Sequence, residues 1–389
     1  MKPIAYYITA HGYGHGTRSC DVLRALYSLA PNQPVIVTTD LPRDFLDSRL
    51  KDCTNLTLRP GAFDIGLVQK DSIQTDLFQT LEKLEELYAR EEQLIVQEQN
   101  FFRENNIELV VADIPAIPLA AAQRSNRRNI AIGNFSWDWI YEAYAKTDLH
   151  WEFFVEKFRA VYEQTDLLLR LPFSPPMEQF PNRKEIPLLA SPGRPRRKEI
   201  INSKLKALNK SRLENSKSNI VSDLEFKNSD FLPDQDRPWV LLSFTSLDLS
   251  FQALEKIREL SSNYEFFCVE PLEFPGSCIH SIDRNAVSFT NIMASCDIVI
   301  SKPGFGLVSE CIVNNKPLIY SDRSVFAEYP YLVDGIEKYL KNVHITSAQL
   351  YAGDFFQALE KIKTAPEPEG FIKRSGAEMI AEELLRQCR

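Results

Sequence analysis

Glycine is scarce in this chain, fourteen in 389 residues, yet Gly12, Gly14 and Gly16 fall together in His11-Gly12-Tyr13-Gly14-His15-Gly16-Thr17-Arg18. Gly304 and Gly306 sit in a second cluster, Ser301-Lys302-Pro303-Gly304-Phe305-Gly306-Leu307-Val308-Ser309-Glu310. Each cluster follows an apolar run of strand length and precedes a helical pattern. In that setting glycine lets backbone N–H groups approach a phosphate or a sugar closely, and a helix N-terminus then favours negative charge. One such loop alone also has the plainer explanation of a tight structural turn. Two of them, one per half of the chain, point to a ligand.

The elements that must position these loops alternate between short apolar strands and longer amphipathic helices, the pattern of parallel sheets with crossover helices. Ile4 to Thr9 reads as a strand, the glycines at 12 to 16 as a loop, and Thr17 to Leu29 as a helix with Val22, Leu23, Leu26 and Leu29 on one face. Further strands are expected at Pro34–Thr39, Leu56–Arg59, Leu109–Ala112, Asn129–Ile132 and Leu167–Leu171, with one long helix over Leu77–Glu104. Prolines crowd residues 172 to 195 and argue against regular structure there. The expected division is a first domain over 1–185, a second over 186–375, and a closing helix within 376–389 packing back on the first. The second series starts at Trp239–Phe244 and continues with a helix at Phe251–Leu260. Strands follow at Glu265–Val269, Asp297–Ile300 and Lys316–Tyr320. The fold class is α/β, with two doubly wound, Rossmann-like halves.

Composition narrows the function. A formal charge of -8 gives no overall footprint for nucleic acid. No apolar run approaches the roughly 18 residues of a membrane span, and the start, MKPIAYYITA, reads as the first strand rather than a secretory signal. Seven scattered cysteines without a CxxC pair fit reduced thiols in the cytoplasm, and they do not group with the five histidines as a zinc site would. Residues 194 to 217 are strongly basic within a polar insertion near 195–235. That stretch reads first as a surface insertion. Contact with the inner face of an anionic membrane, or with an anionic acceptor, is the alternative.

The first cluster resembles the opening loop of GT-B glycosyltransferases, and its HGxGHxTR pattern is similar to the N-terminal glycosyltransferase-like half of plant L-arabinokinases. The similarity continues through Asp113, Asn134-Phe135-Ser136-Trp137-Asp138-Trp139, Arg170-Leu171-Pro172, the second glycine cluster and Phe326-Ala327-Glu328-Tyr329-Pro330. It implies two Rossmann-like domains facing a cleft. The chain stops at Arg389 before any galactokinase-like sequence, so sugar-kinase activity is not expected. The second cluster also looks like the donor loop of the peptidoglycan N-acetylglucosaminyltransferase. That likeness implies a UDP-sugar held by Gly304, Gly306 and Glu310, with Lys302 and Glu328 beside them.

The resemblance gives His15 as the base that takes the acceptor proton, since imidazole titrates near neutrality. Asp113 either orients His15 or caps the helix beyond Pro115. His11, Gly14, Arg18, Asn134, Trp137 and Asp138 are candidate contacts to acceptor or sugar, although tryptophans at this spacing more often pack a core. No DxD motif occurs in a donor-site context, so no metal and no cofactor besides the nucleotide sugar are expected. The expected partners are a nucleotide sugar and a small-molecule or lipid-linked glycan acceptor. The alternatives from other classes are a non-catalytic sugar or nucleotide sensor and a nucleotide-sugar epimerase. One departure stands out. Where the plant relatives have a glycine-containing turn after the strand opening the second domain, this chain has Leu241-Leu242-Ser243-Phe244-Thr245-Ser246-Leu247.

Overall fold

The computed structural model describes residues 2–206, 232–323 and 326–388; much of the basic insertion, 207–231, lies outside them. Seven strands, β1 (Ile4–Ile8), β2 (Val35–Thr38), β3 (Leu56–Arg59), β4 (Leu109–Asp113), β5 (Arg128–Gly133), β6 (Leu167–Arg170) and β7 (Arg183–Glu185), form one sheet. Its order is β3-β2-β1-β4-β5-β6-β7. A second sheet of six, β8 (Trp239–Ser243), β9 (Glu265–Val269), β10 (Ile279–Ile282), β11 (Ile298–Ser301), β12 (Leu318–Ser321) and β13 (Asn342–Ile345), runs β10-β9-β8-β11-β12-β13. Neighbouring strands are parallel in both.

The central strands explain the parallel arrangement. β1, β4 and β11 are buried along their whole length, as strands covered by helices on both faces must be. Alternate β1 residues feed two cores: Ile4, Tyr6 and Ile8 pack with Leu23 and Leu26, while Ala5 and Tyr7 pack with Phe102, Leu119 and Tyr162. The first of these cores also contains Val299, Val308, Ile380 and Leu384, so the halves share apolar packing. The helix Gly376–Gln387 lies against the helix Tyr13–Leu29 and ties back to the first sheet through Lys184 Nζ, 2.8 Å from Glu383 Oε2.

Several expectations shift. The glycines at 14 and 16 are not loop but the first turn of a helix beginning at Tyr13, and its last residue, Leu29, is 51% exposed rather than core. The long helix is two, Leu77–Tyr88 and Glu91–Glu104, turning at Ala89–Arg90; the apolar period continues across the break, so periodicity does not register it. The proline-rich stretch still supplies β7, on the edge of the sheet where prolines nearby do least harm. β10 and β13 have no counterpart in the strand pattern read from the sequence.

Between β3 and the helix Leu77–Tyr88 the chain makes a small hairpin closed by an antiparallel bridge between Gln69 and Thr75. This hairpin crosses to the second half. Ile73 is buried in the core formed by Val240, Leu242 and Phe244, and Asp71 Oδ2 accepts from Tyr351 Oη at 2.7 Å.

Candidate active site

In each sheet the strand order reverses beside its first strand, between β1 and β4 and between β8 and β11, and the crevices at such switch points are where doubly wound sheets bind ligands. Here the two crevices face one another across a cavity of about 1070 Å³. His11, Gly14, His15, Arg18, Asn134, Trp137, Lys302, Gly304, Gly306, Glu310 and Glu328 all line it. Asp113 lies directly behind His15, fully buried. Asp138 is turned away, accepting from Gln179 Nε2 at 2.9 Å, and does not line the cavity.

On the first wall, Gly12 has φ +80° and leads into Tyr13–Leu29 with no side-chain cap. The free N–H groups of that first turn sit at the cavity. His15 Nδ1 is 2.8 Å from Asp113 Oδ1. Asp113 also accepts from Arg18 Nε at 2.8 Å and Ser19 Oγ at 2.9 Å through Oδ2, and from Arg18 Nη2 at 2.5 Å through Oδ1. Burial alone would raise the Asp113 carboxyl, but the Arg18 guanidinium and His15 overcome it and hold the group well below the usual carboxylate range. Burial, followed by the charge of Arg18, lowers the His15 imidazole. Asp113 is thus bonded to His15 and does not cap a helix, since Ala116–Arg124 begins after Pro115 with no side-chain cap.

Arg18 Nη1 donates to Asn134 Oδ1 at 2.8 Å, and Asn134 Nδ2 donates to Glu328 Oε2 at 2.6 Å. A continuous polar chain thus runs from His15 to the second half. Arg18 is 4% exposed and spends its donors inside the protein, which leaves little of it for a phosphate or an acceptor carboxylate. His11 Nε2 lies 3.1 Å from Asp64 Oδ1. Its ring fills the place a side chain at Gly66, φ +62°, would take. Trp137 is core on one side, stacked on Tyr141 at 5.5 Å, and reaches the cavity on the other.

On the second wall the helix Phe305–Val313 starts at the cavity, with Gly304 as an N-cap that offers no side chain. The helix starts meet closely: a Cβ on Gly306 would stand 3.3 Å from Gly14 Cα. Glu310 is buried, its Oε2 has no hydrogen-bond partner, and burial pushes its carboxyl up to about 8. Burial, helped by the charge of Arg323, brings Lys302 down to about 7. Glu328 is likewise raised by burial, against the pull of Arg323.

Sequence reasoning did not single out Arg323, Arg284, Arg49 or Phe45, which also line the cavity. Arg323, brought down to about 10 by burial, sits over the Phe326 ring at 3.3 Å. Arg284 lies 4.3 Å over Tyr13, whose ring is 5.0 Å from Phe45. Arg49 covers Phe45 at 5.1 Å. No spacing links Arg284 with Tyr13, and only folding stacks them.

The glycine-free loop after β8 has a specific partner. Ser72 Oγ, from the hairpin of the first half, accepts from the backbone N–H of Thr245 at 3.2 Å and of Ser246 at 2.9 Å. Ser72 N in turn donates to Ser246 O at 3.3 Å. These N–H groups are thus satisfied within the protein.

No family model matches the chain. It is 28% identical over 386 residues to L-arabinokinase of Arabidopsis thaliana, across 97% of this chain and 33% of that protein, so it spans about a third of that relative's length. Among solved structures, Arabidopsis thaliana UGT89C1 complexed with quercetin is similar over 100% of this chain and 99% of its own, at TM-score 0.60 and 14% identity. The glycotransferase of kitacinnamycin is similar at TM-score 0.57 and 12% identity, over 99% of this chain and 98% of its own. The fold is GT-B. In GT-B terms the β1 and β4 ends form one lip of the cleft and the β8 and β11 ends the other. Among the described residues no group of three or more His, Cys, Asp or Glu could hold a metal ion, and no helix is long and apolar enough to cross a membrane.

Proposed function

We propose that this chain is a glycosyltransferase moving a hexosyl-type sugar from a nucleotide-sugar donor, a UDP-sugar, to an acceptor hydroxyl, with inversion and without a bound divalent ion. Residues 1–185 would form the acceptor-side domain and 186–375 the donor-side domain. One observation carries the reading: a histidine backed by a buried carboxylate faces, across a single cavity, the uncapped start of the Phe305–Val313 helix. The alignment with L-arabinokinase across 97% of this chain supports it. So do the UGT89C1 complexes, one with quercetin and one with UDP-L-rhamnose.

In this reading the diphosphate lies at the N–H groups following Gly304, beside Lys302, where the helix end favours negative charge. Glu310, unpartnered and buried, takes the ribose hydroxyls; Glu328 takes the sugar hydroxyls. His15 Nε2 accepts the proton of the acceptor hydroxyl as its oxygen bonds to the anomeric carbon. The bond from that carbon to the diphosphate breaks, and its electron pair leaves with the nucleotide. The acceptor is a small molecule or a lipid-linked glycan.

The test is a thermal-shift screen against UDP, GDP, dTDP and their sugars, since a ligand of the folded state raises the apparent melting point. Stabilisation by one nucleotide family, lost in Glu310→Ala, is expected; no shift with any nucleotide would sink the donor assignment. His15→Ala should abolish transfer while donor affinity is kept, and unchanged turnover would remove the proposed base.

A further inference from the structure

His15 and Arg18 stand three residues apart on the first helix, a spacing that places them on one face, and both turn to the carboxylate at the end of β4. An aspartate alone behind a histidine strengthens its hold on a proton. Here the carboxylate is not alone. Arg18 grips both of its oxygens in a two-pronged ion pair, and Nη2 of the same guanidinium lies 3.0 Å from His15 Nδ1. The arginine is itself immobilised, 4% exposed, bonded to Asn134 and covered by the Phe305 ring of the second half at 5.1 Å.

We infer that Arg18 is a positioning residue that governs His15 through Asp113: by clamping the buried carboxylate it makes the pair electrically neutral and holds the imidazole as the neutral ring, with Nε2 facing the cavity. The charged or titratable groups around His15 are Arg18 from its own helix, Asp113 from β4 and His11 from the loop after β1; Phe135, 5.8 Å away, closes the remaining side with an apolar ring. Of the two charges nearest the ring, the cation cancels most of what the anion would do. Burial displaces His15 below an ordinary histidine most, and the Arg18 charge adds to it against the opposite pull of Asp113. A ring held neutral is available as a base, whereas an unclamped aspartate would strengthen its hold on a proton. The functional meaning rests on the transferase reading above; the clamp itself does not.

The test is the titration of the His15 ring by nuclear magnetic resonance on the full chain, its signal assigned by loss in His15→Ala. In the wild type the midpoint is expected below the ordinary ~6.5. Arg18→Met should raise it by about one pH unit, a tenfold gain in proton affinity, and Arg18→Lys, which keeps the charge, should stay near the wild type. Arg18→Met leaves Asp113 buried without its partner and is at risk of not folding. A second comparison avoids that state: Asp113→Asn should lower the midpoint, and Arg18→Met/Asp113→Asn should raise it again by about as much as the single change does. An unmoved or falling midpoint on removal of Arg18, in either background, would overturn the inference. Where transfer is measurable, the acidic limb of kcat/KM should move with the ring. A ring that responds in a protein with no transfer under any donor would leave the clamp standing and remove the transferase reading instead.

Discussion

After β1 the chain passes through Gly12 at φ +80° and begins a helix whose first N–H groups face the cavity uncapped. After β8, which holds the same place in the second sheet, Thr245 and Ser246 give their N–H groups to Ser72 of the first half. The positions are topologically equivalent, yet one opens on the cavity and the other is used to fasten the halves together. The second half presents its open helix start three strands later in sequence, at Gly304 after β11, the strand beside β8. Backbone donors at a switch point are a resource a fold can spend on a ligand or on itself, and which use is made depends on whether another segment reaches them first. Here the hairpin around Ile73 does.

The largest effect is expected where the open side depends on a buried charge. Asp113→Ala leaves the Arg18 guanidinium buried without a counter-charge, and urea unfolding should show a loss of about 3–5 kcal/mol. On the fastened side, Ile73→Ala opens a cavity in the second core and should cost about 2–5 kcal/mol. Ser72→Ala removes the acceptor of two N–H groups there and should cost about 0.5–1.5 kcal/mol. If Ser72→Ala were instead neutral for stability and strengthened nucleotide binding in calorimetry, the loop after β8 would be a ligand cradle, and the contrast would fail.

Glu310 sharpens the comparison through pH. Its folded-state carboxyl, near 8, lies above the ordinary 4.5, so between those values the folded protein binds more protons than the unfolded one. Stability from this group is therefore full below the ordinary value and is lost as pH rises towards 8, with a slope of up to ~1.4 kcal/mol per pH unit. Glu310→Gln should flatten that slope in unfolding curves recorded from pH 5 to 8, and a slope unchanged in the variant would show that the carboxyl is not held neutral. The smallest difference separates the two helix-starting glycines. A Cβ at Gly12 or Gly304 meets nothing within 4 Å, but only Gly12 has positive φ. Gly12→Ala should cost about 1–3 kcal/mol, and Gly304→Ala less than about 0.5 kcal/mol; equal losses in thermal unfolding would mean that backbone strain does not distinguish them.

Much of the frame was legible in the sequence because it follows local rules. The apolar runs located most of the strands, and the helix Phe251–Leu260 and the strands Leu56–Arg59 and Glu265–Val269 have the expected bounds. The glycine clusters marked both helix starts, although the first helix begins four residues earlier than its apolar face suggests. What failed were features with no local signature: the turn at Ala89–Arg90 inside an unbroken apolar period, and the outer strands β10 and β13.

The residue types in the two glycine clusters, and their places after buried strands, determined that two helix starts would lack side-chain caps and that His15 and Glu310 would stand near them. Only the tertiary structure decided how each is used. Arg18 is turned from a candidate ligand contact into the clamp on Asp113, Asp138 is drawn out of the cavity by Gln179, and the hydroxyl of Ser72 takes the N–H groups of a loop some 170 positions away in sequence. Such contacts join segments whose separation along the chain carries no periodicity, so they arise when the two sheets pack, where burial makes every polar group find a partner or bear the cost of lacking one.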